Sequence, residues 1–338
     1  MTDANKSDEI SLEDIASAER LMGITYTAQE RAQMLGNFTG QIEAAQNRRA
    51  VQFENAEPMA CRFDPRLPGF KMPDPNDDLR WTGADPGPLP DSVEDIAFAP
   101  VTQLHGWIAN QAISSRRLTE IYLERIARIG PKLECFATVT DELALAQADT
   151  ADALIQKGQL HGPLHGIPYV VKDLFDTAGI NTGWGAEPYQ NRVPDRDATI
   201  VQRLRDAGAV LLGKAALGAL AYNDIWYGGR CRNPWNLNEG SSGSSADSAA
   251  ATAAGLCGFS IGTETLGSIT SPCQRCGTTG LRPTFGRIPR DGAMALCWSM
   301  DKIGPICRSV EDTGTVLTLG MALERALNCH TERPDFPS

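Results

Sequence analysis

Apolar positions along this chain switch between a helical period and a strand-like one. Up to residue 57 the period is helical: Thr27 and Glu30 form a capping box, and Met34, Leu35, Phe38 and Ile42 follow on one face. That face predicts packing against the main body of the chain. Ser114 or Ser115 caps a later helix whose apolar face is Leu118, Ile121, Tyr122, Ile126 and Ile129, with Gly130-Pro131 predicted to close it. An Ala-rich helix follows from Glu142 to Lys157, stopped by Gly158. Gly166 to Phe175 is β-branched and aromatic, a strand interrupted by one lysine, Lys172. Asp197 is the expected cap of a helix through Ile200, Val201 and Leu204, ended by Gly208, and Ala209 to Leu212 is the next strand. Ala246 to Ala254 reads as a helix with Gly255 as its stop, Phe259 to Ile261 as a short buried strand, and Thr263 to Ser268 as a small-residue turn. Such alternation predicts an α/β fold, a sheet covered by helices on both faces, preceded by a helical N-terminal extension.

Between the extension and the α/β region the pattern breaks. Eight of the 21 prolines lie between Pro58 and Pro90, which excludes a helix or central strand and predicts an extended connector. The expected division is therefore 1–92, extension and connector, and 93–338, the α/β core. Hydrophobic residues at 42% and charged residues at 22% suit a globular chain with a real core. A net charge of -11 argues against nucleic-acid binding or an anionic membrane surface, both of which need clustered Lys and Arg. No apolar run approaches the roughly 18 residues of a membrane span, and the polar, acidic N-terminus is unlike a secretion signal, so the cytoplasm is expected. Nine scattered cysteines predict reduced thiols rather than disulfides. The four histidines have no zinc-ligand spacing, and Cys273-Gln274-Arg275-Cys276 lacks the second cysteine pair that a structural metal would need.

Two stretches carry candidate chemistry. Gly240 to Pro272 is dense in serine, threonine and glycine, with only Asp247 and Glu264 charged, and its loop–helix–strand–turn pattern suits a pocket lined by backbone. Lys172, in turn, sits at the end of an apolar run. A buried lysine is pushed toward its neutral form, and a neutral amine is a base. A surface lysine paired with Asp173 explains the same residues equally well at this point.

Read together, the stretches resemble the amidase signature family from about Val93 onward. Gly166-Ile167-Pro168 with Val171-Lys172-Asp173 looks like its GIPxxVKD segment, and Arg232 to Asn236 like RNPW(N/D). Ser242 to Ser245 falls on GGSS, Gly262 to Ile269 on GTDTGGSI, and Cys276-Gly277 with Gly280 to Thr284, Gly286 and Arg287 on CG…GLKPTxGR. The resemblance implies a mixed sheet and an amide-hydrolysing enzyme with a Ser–cisSer–Lys triad. Its two serines stand 24 positions apart, as Ser244 and Ser268 do. The implied roles are Ser268 as nucleophile, Ser244 as the bridging serine on a cis peptide, and Lys172 as base. Backbone N–H groups of Thr265, Leu266, Gly267 and Ser268 are the implied oxyanion hole, with Ser245 and Glu264 in support. No cofactor or metal is implied. The expected partner is a small-molecule amide; homo-oligomerisation stays open.

Several positions depart from the family pattern. Glu264 replaces the usual Asp, Leu266 the first Gly of the GGS turn, Thr270 a common Arg, and Ala246-Asp247 a pair of glycines. If the position of Leu266 requires φ > 0, leucine strains the turn; otherwise it narrows the pocket. Lys214 is a second lysine, expected near the site but not as the base. Family members are longer, and their C-terminal part supplies pocket residues; Ser309 to Leu327 still resembles a family helix, whereas 328–338 does not. The chain is thus expected to be a fragment or a shortened protein with exposed apolar surface where that part docks. The alternatives are the glutaminase component of a tRNA-dependent amidotransferase and a truncated, non-catalytic relative.

Overall fold

The computed structural model describes residues 10–52, 57, 69–71 and 85–321. The chain divides into two compact units, Met1–Glu57 and Pro58–Ser338. Most of the proline-rich connector and all of the 328–338 tail lie outside the described residues.

The first unit holds α1 (Leu12–Met22) and α2 (Ala28–Ala50), each opened by a capping box, Ser11 with Asp14 and Thr27 with Glu30. Arg31 of α2 pairs with Glu19 of α1 at 2.6 Å, and this hydrogen bond holds the Glu19 carboxyl below its usual range. The helix expected after Thr27 is present, but α2 buries none of its side chains.

The second unit begins with α3 (Val93–Phe98), α4 (Val101–Ala109) and α5 (Ser115–Leu133), followed by β1 (Phe136–Val139), α6 (Asp141–Gln156), β2 (Pro168–Lys172), α7 (Thr199–Asp206) and β3 (Val210–Ala215). Two short antiparallel ribbons come next, β4 (Ile225–Trp226) with β5 (Gly229–Arg230), and β6 (Arg232–Asn233) with β7 (Asn236–Gly240). They lead into α8 (Ala246–Ala253), β8 (Phe259–Glu264), α9 (Thr270–Cys276), β9 (Thr279–Gly280), β10 (Lys302–Cys307) and α10 (Val310–Thr315), which continues as a π-helix over Val316–Met321.

Six strands form one mixed sheet in the order β1-β3-β2-β8-β10-β9. Its centre, β3-β2-β8, is parallel and every residue of those strands is buried, as expected where helices cover a parallel sheet. β1 and β10 flank this centre in antiparallel pairing. Strand alternation sets Val170, Lys172 and Ser260 on the face that α8 covers, where Ser260 Oγ donates to Ser248 O at 2.8 Å. Tyr169 and Phe259 stack on the opposite face with ring centroids 5.3 Å apart.

Two local expectations are corrected, and one strand is added. α5 runs past Gly130-Pro131 to Leu133, because proline removes only one N–H near the helix end and Glu134, in the left-handed region, caps it onto Gly130 O. Asp197 does not cap α7; the N-cap is Ala198, and the Asp197 carboxylate instead accepts from Ala178 N–H at 2.7 Å and pairs with Arg205. β1 is a strand that the apolar pattern did not announce.

Candidate active site

Each part of the site is delivered by the end of a regular element. β2 carries Lys172 inward, fully buried, at the C-terminal end of the parallel centre. The β6–β7 ribbon hands the chain to Ser241–Ser245, and Ser245 is the N-cap of α8. The Gly243–Ser244 peptide is cis. Gly243 admits no side chain, since a Cβ there would lie 1.9 Å from Asn223 O. Gly262 is bare for a similar reason: a Cβ on it would stand 2.7 Å from Ser245 Oγ, so glycine lets the serine loop settle on β8.

Lys172 Nζ donates to Ser244 Oγ at 2.8 Å, Ser245 Oγ at 3.0 Å and Thr263 Oγ1 at 2.9 Å. Three acceptors use the ammonium's three protons. Burial nevertheless pushes the amine down from 10.5 to about 7, against the opposing charges of Asp247, Asp301 and Glu264. The reading of Lys172 as a surface residue paired with Asp173 is excluded. Asp173 is the partner of Lys214, at 3.4 Å. Lys214 is also fully buried and donates to Phe175 O at 2.8 Å and Thr182 Oγ1 at 2.7 Å, so it is spent on holding loops together. Burial lowers it to about 8 despite Asp173. Of the two buried lysines, Lys172 is the one that meets the serines.

Ser268 lies in the turn between β8 and α9 and is 8% exposed. Its carbonyl accepts Ser245 N–H at 3.0 Å, which ties the turn to the serine loop. Glu264 braces the turn from below: its Oε2 accepts from Ile269 and Thr270 N–H, both at 2.9 Å, and from Thr270 Oγ1 at 3.1 Å. Burial alone would raise this carboxyl, but those N–H groups, with that of Gly267, hold it below its usual range. The longer Glu in place of Asp therefore still reaches the turn, and Thr270 joins the same carboxylate. Leu266 is not strained. The left-handed residue of the turn is Gly267, at φ 84°, and Leu266 projects into solvent at 84% exposure.

Two further anchors escaped the sequence reading. Asp301 Oδ1 accepts from Thr265 Oγ1 at 2.5 Å, and Lys302 Nζ donates to Thr265 O at 2.9 Å. Both lie at the start of β10, and nothing local in the sequence links them to a turn more than thirty residues earlier. Asp247, in the first turn of α8, is fully buried, and burial raises it well above the carboxylate range although the Cys231 thiol beside it acts in the opposite sense. Cys273 and Cys276 are buried free thiols on α9, pushed up by burial to about 12 and about 11, the reverse of what redox chemistry requires. Among the described residues, no group of three or more His, Cys, Asp or Glu is arranged to hold a metal, and no helix is long and apolar enough to cross a membrane.

A family model described as amidase matches residues 117–329, which takes in both the lysine strand and the serine turns. The chain belongs to the amidase family. Among curated relatives of this amidase-family chain, the A-type component of glutamyl-tRNA(Gln) amidotransferase from Hahella chejuensis is 42% identical over 65% of the chain and 46% of its own length. The corresponding component from Methylococcus capsulatus is 40% identical over 69% of the chain and 49% of its own length. Among solved structures, native peptide amidase from Stenotrophomonas maltophilia superposes with a TM-score of 0.64 at 38% identity, covering 71% of this chain and 51% of that one. The chain thus spans about half the length of the curated relatives it matches.

Proposed function

We propose that this chain carries an amidase centre in which Ser268 is the nucleophile, Ser244 relays its proton and Lys172 is the base. The observation that carries this reading is the fully buried Lys172 amine, lowered to about 7, 2.8 Å from Ser244 Oγ on its cis peptide. Ser268 Oγ attacks the amide carbon as its proton passes to Ser244 and that of Ser244 to neutral Lys172. The carbonyl oxygen becomes an oxyanion facing the N–H groups of Thr265, Leu266, Gly267 and Ser268, where a well-placed donor contributes roughly 3–4 kcal/mol. Gly267 N–H is shared with the Glu264 carboxylate, so the other three carry more of that charge. Collapse breaks the C–N bond, and the leaving amine takes the proton back from Lys172 through Ser244. Water then attacks the acyl-enzyme along the same relay, releasing the acid and freeing Ser268.

The substrate is a carboxylic amide, the compartment a reducing cytoplasm in keeping with the free thiols, and the α/β core begins near residue 92. A second reading, the amide-cleaving component of a larger amidotransferase, draws on the 42% identity to such a component. A fluorophosphonate is expected to label Ser268 on folded protein, and Ser268→Ala to abolish that labelling. Labelling at another serine, or none, would refute the assignment.

A further inference from the structure

The turn between β8 and α9 is held from two paired strands. Glu264, the last residue of β8, and Lys302, the first of β10, are Cα partners in the antiparallel ladder. They grip opposite halves of the turn. The Glu264 carboxylate takes N–H groups of the far half, those of Ile269 and Thr270 at 2.9 Å and that of Gly267 with them. The near half is held at Thr265. Lys302 Nζ donates to Thr265 O at 2.9 Å, and Thr265 Oγ1 donates to Asp301 Oδ1 at 2.5 Å. Asp301 is itself fixed, because its carboxylate also accepts from Leu296 N–H at 2.8 Å and Cys297 N–H at 3.1 Å. Two consecutive residues thus hold Thr265 by its carbonyl and by its hydroxyl.

Thr265 O and Leu266 N–H belong to one peptide unit. That unit is trans, so its C=O and N–H point in opposite directions. With the oxygen drawn to Lys302, the Leu266 N–H is turned to the other side. An ammonium on the oxygen also polarises the amide and strengthens the donor at its far end. Leu266 N–H matters the more because Gly267 N–H is shared with Glu264. We propose that Lys302 is a positioning residue of the oxyanion hole, aiming and strengthening the Leu266 N–H through the Thr265 carbonyl while Asp301 holds the same residue by its hydroxyl. The inference rests on Ser268 being the nucleophile and on this turn receiving the oxyanion.

The rate at which a fluorophosphonate labels Ser268 in the full chain is the measurement, because the phosphoryl oxygen of the reagent occupies the place of the oxyanion. Lys302→Met is expected to slow labelling about tenfold to a hundredfold, somewhat less than deleting a donor outright. The loss is read above the midpoint near 7, and that midpoint stays in place because the Lys172 relay is untouched. Lys302→Arg keeps a cationic donor and is expected to restore most of the rate. Thr265→Val loses the bond to Asp301 with nearly the same shape, and should slow labelling in the same way. A wild-type rate in Lys302→Met, a moved midpoint in place of a lost rate, or no recovery in Lys302→Arg overturns the inference. Thermal melting is read for each variant; where Lys302→Met does not melt cooperatively, a wild-type rate in Thr265→Val overturns it instead. Labelling of wild type and Lys302→Met at equal rates removes this inference alone, whereas no labelling of Ser268 in wild type removes the nucleophile assignment and this inference with it.

Discussion

Replacing Lys172 with methionine keeps an unbranched side chain one atom shorter and removes its charge, so the energy stored in that buried amine becomes measurable. In the folded protein burial lowers the lysine from 10.5 to about 7, while the unfolded chain restores the ordinary value. Between those values the unfolded state holds a proton that the folded state has lost. The sign follows: stability rises with pH through this window, and the penalty for burying the charge is felt in full below about 7. At about 1.4 kcal/mol per unit, the window from 7 to 10.5 amounts to on the order of 5 kcal/mol. Lys214, lowered to about 8, titrates in the same range but is present in both proteins and cancels in their difference. Urea unfolding of wild type and Lys172→Met from pH 6.5 to 9.5 reads that difference directly. Wild type is expected to gain on the variant by about 1 kcal/mol per pH unit or somewhat more above neutrality. Fluorophosphonate labelling of Ser268 in wild type should rise over the same range with a midpoint near 7, because only the neutral amine accepts the serine's proton, and should be lost in the variant. Parallel stability curves, or labelling independent of pH, would refute the buried-base reasoning.

Two other substitutions test the surroundings of the base. Lys214→Met leaves Asp173 buried without its cation and is expected to cost about 3–5 kcal/mol in chemical denaturation, with part of the loss recovered by adding Asp173→Asn. Asp247→Ala removes a fully buried carboxyl. Because the folded state raises this carboxyl, its burden on stability grows as pH climbs above the unfolded carboxylate value. The variant should therefore gain about 1–3 kcal/mol at pH 8 and less at pH 4, and an equal effect at both would contradict the assignment of burial as the cause.

Much of the frame was legible because it rests on local physics. Thr27 and Ser114 cap their helices as their side chains and spacing predict, since a hydroxyl reaches the free N–H groups of its own first turn whatever lies around it. Gly255 ends the helix after Ala246 because it alone adopts the left-handed conformation there at no steric cost. Lys172, Ser244 and Ser268 stand out by motif, and the resemblance assigns their roles. Asp197 departs from its expected role because its carboxylate has two better partners outside its own first turn, Ala178 N–H and Arg205, and no capping pattern contains either.

The chain's own order of residues thus determined the α/β alternation, the helix ends and which side chains were chemically apt, all of which depend on neighbours within a turn or two. Only the tertiary structure gave each buried lysine its partners. Strand pairing in the sheet turns Lys172 to the serines and gives Asp173 to Lys214, and that choice depends on which face of β2 and β3 each lysine occupies and on which loops close over it. It likewise brought Asp301 and Lys302 to Thr265, because long-range register is set by packing the whole sheet and leaves no trace in any one segment.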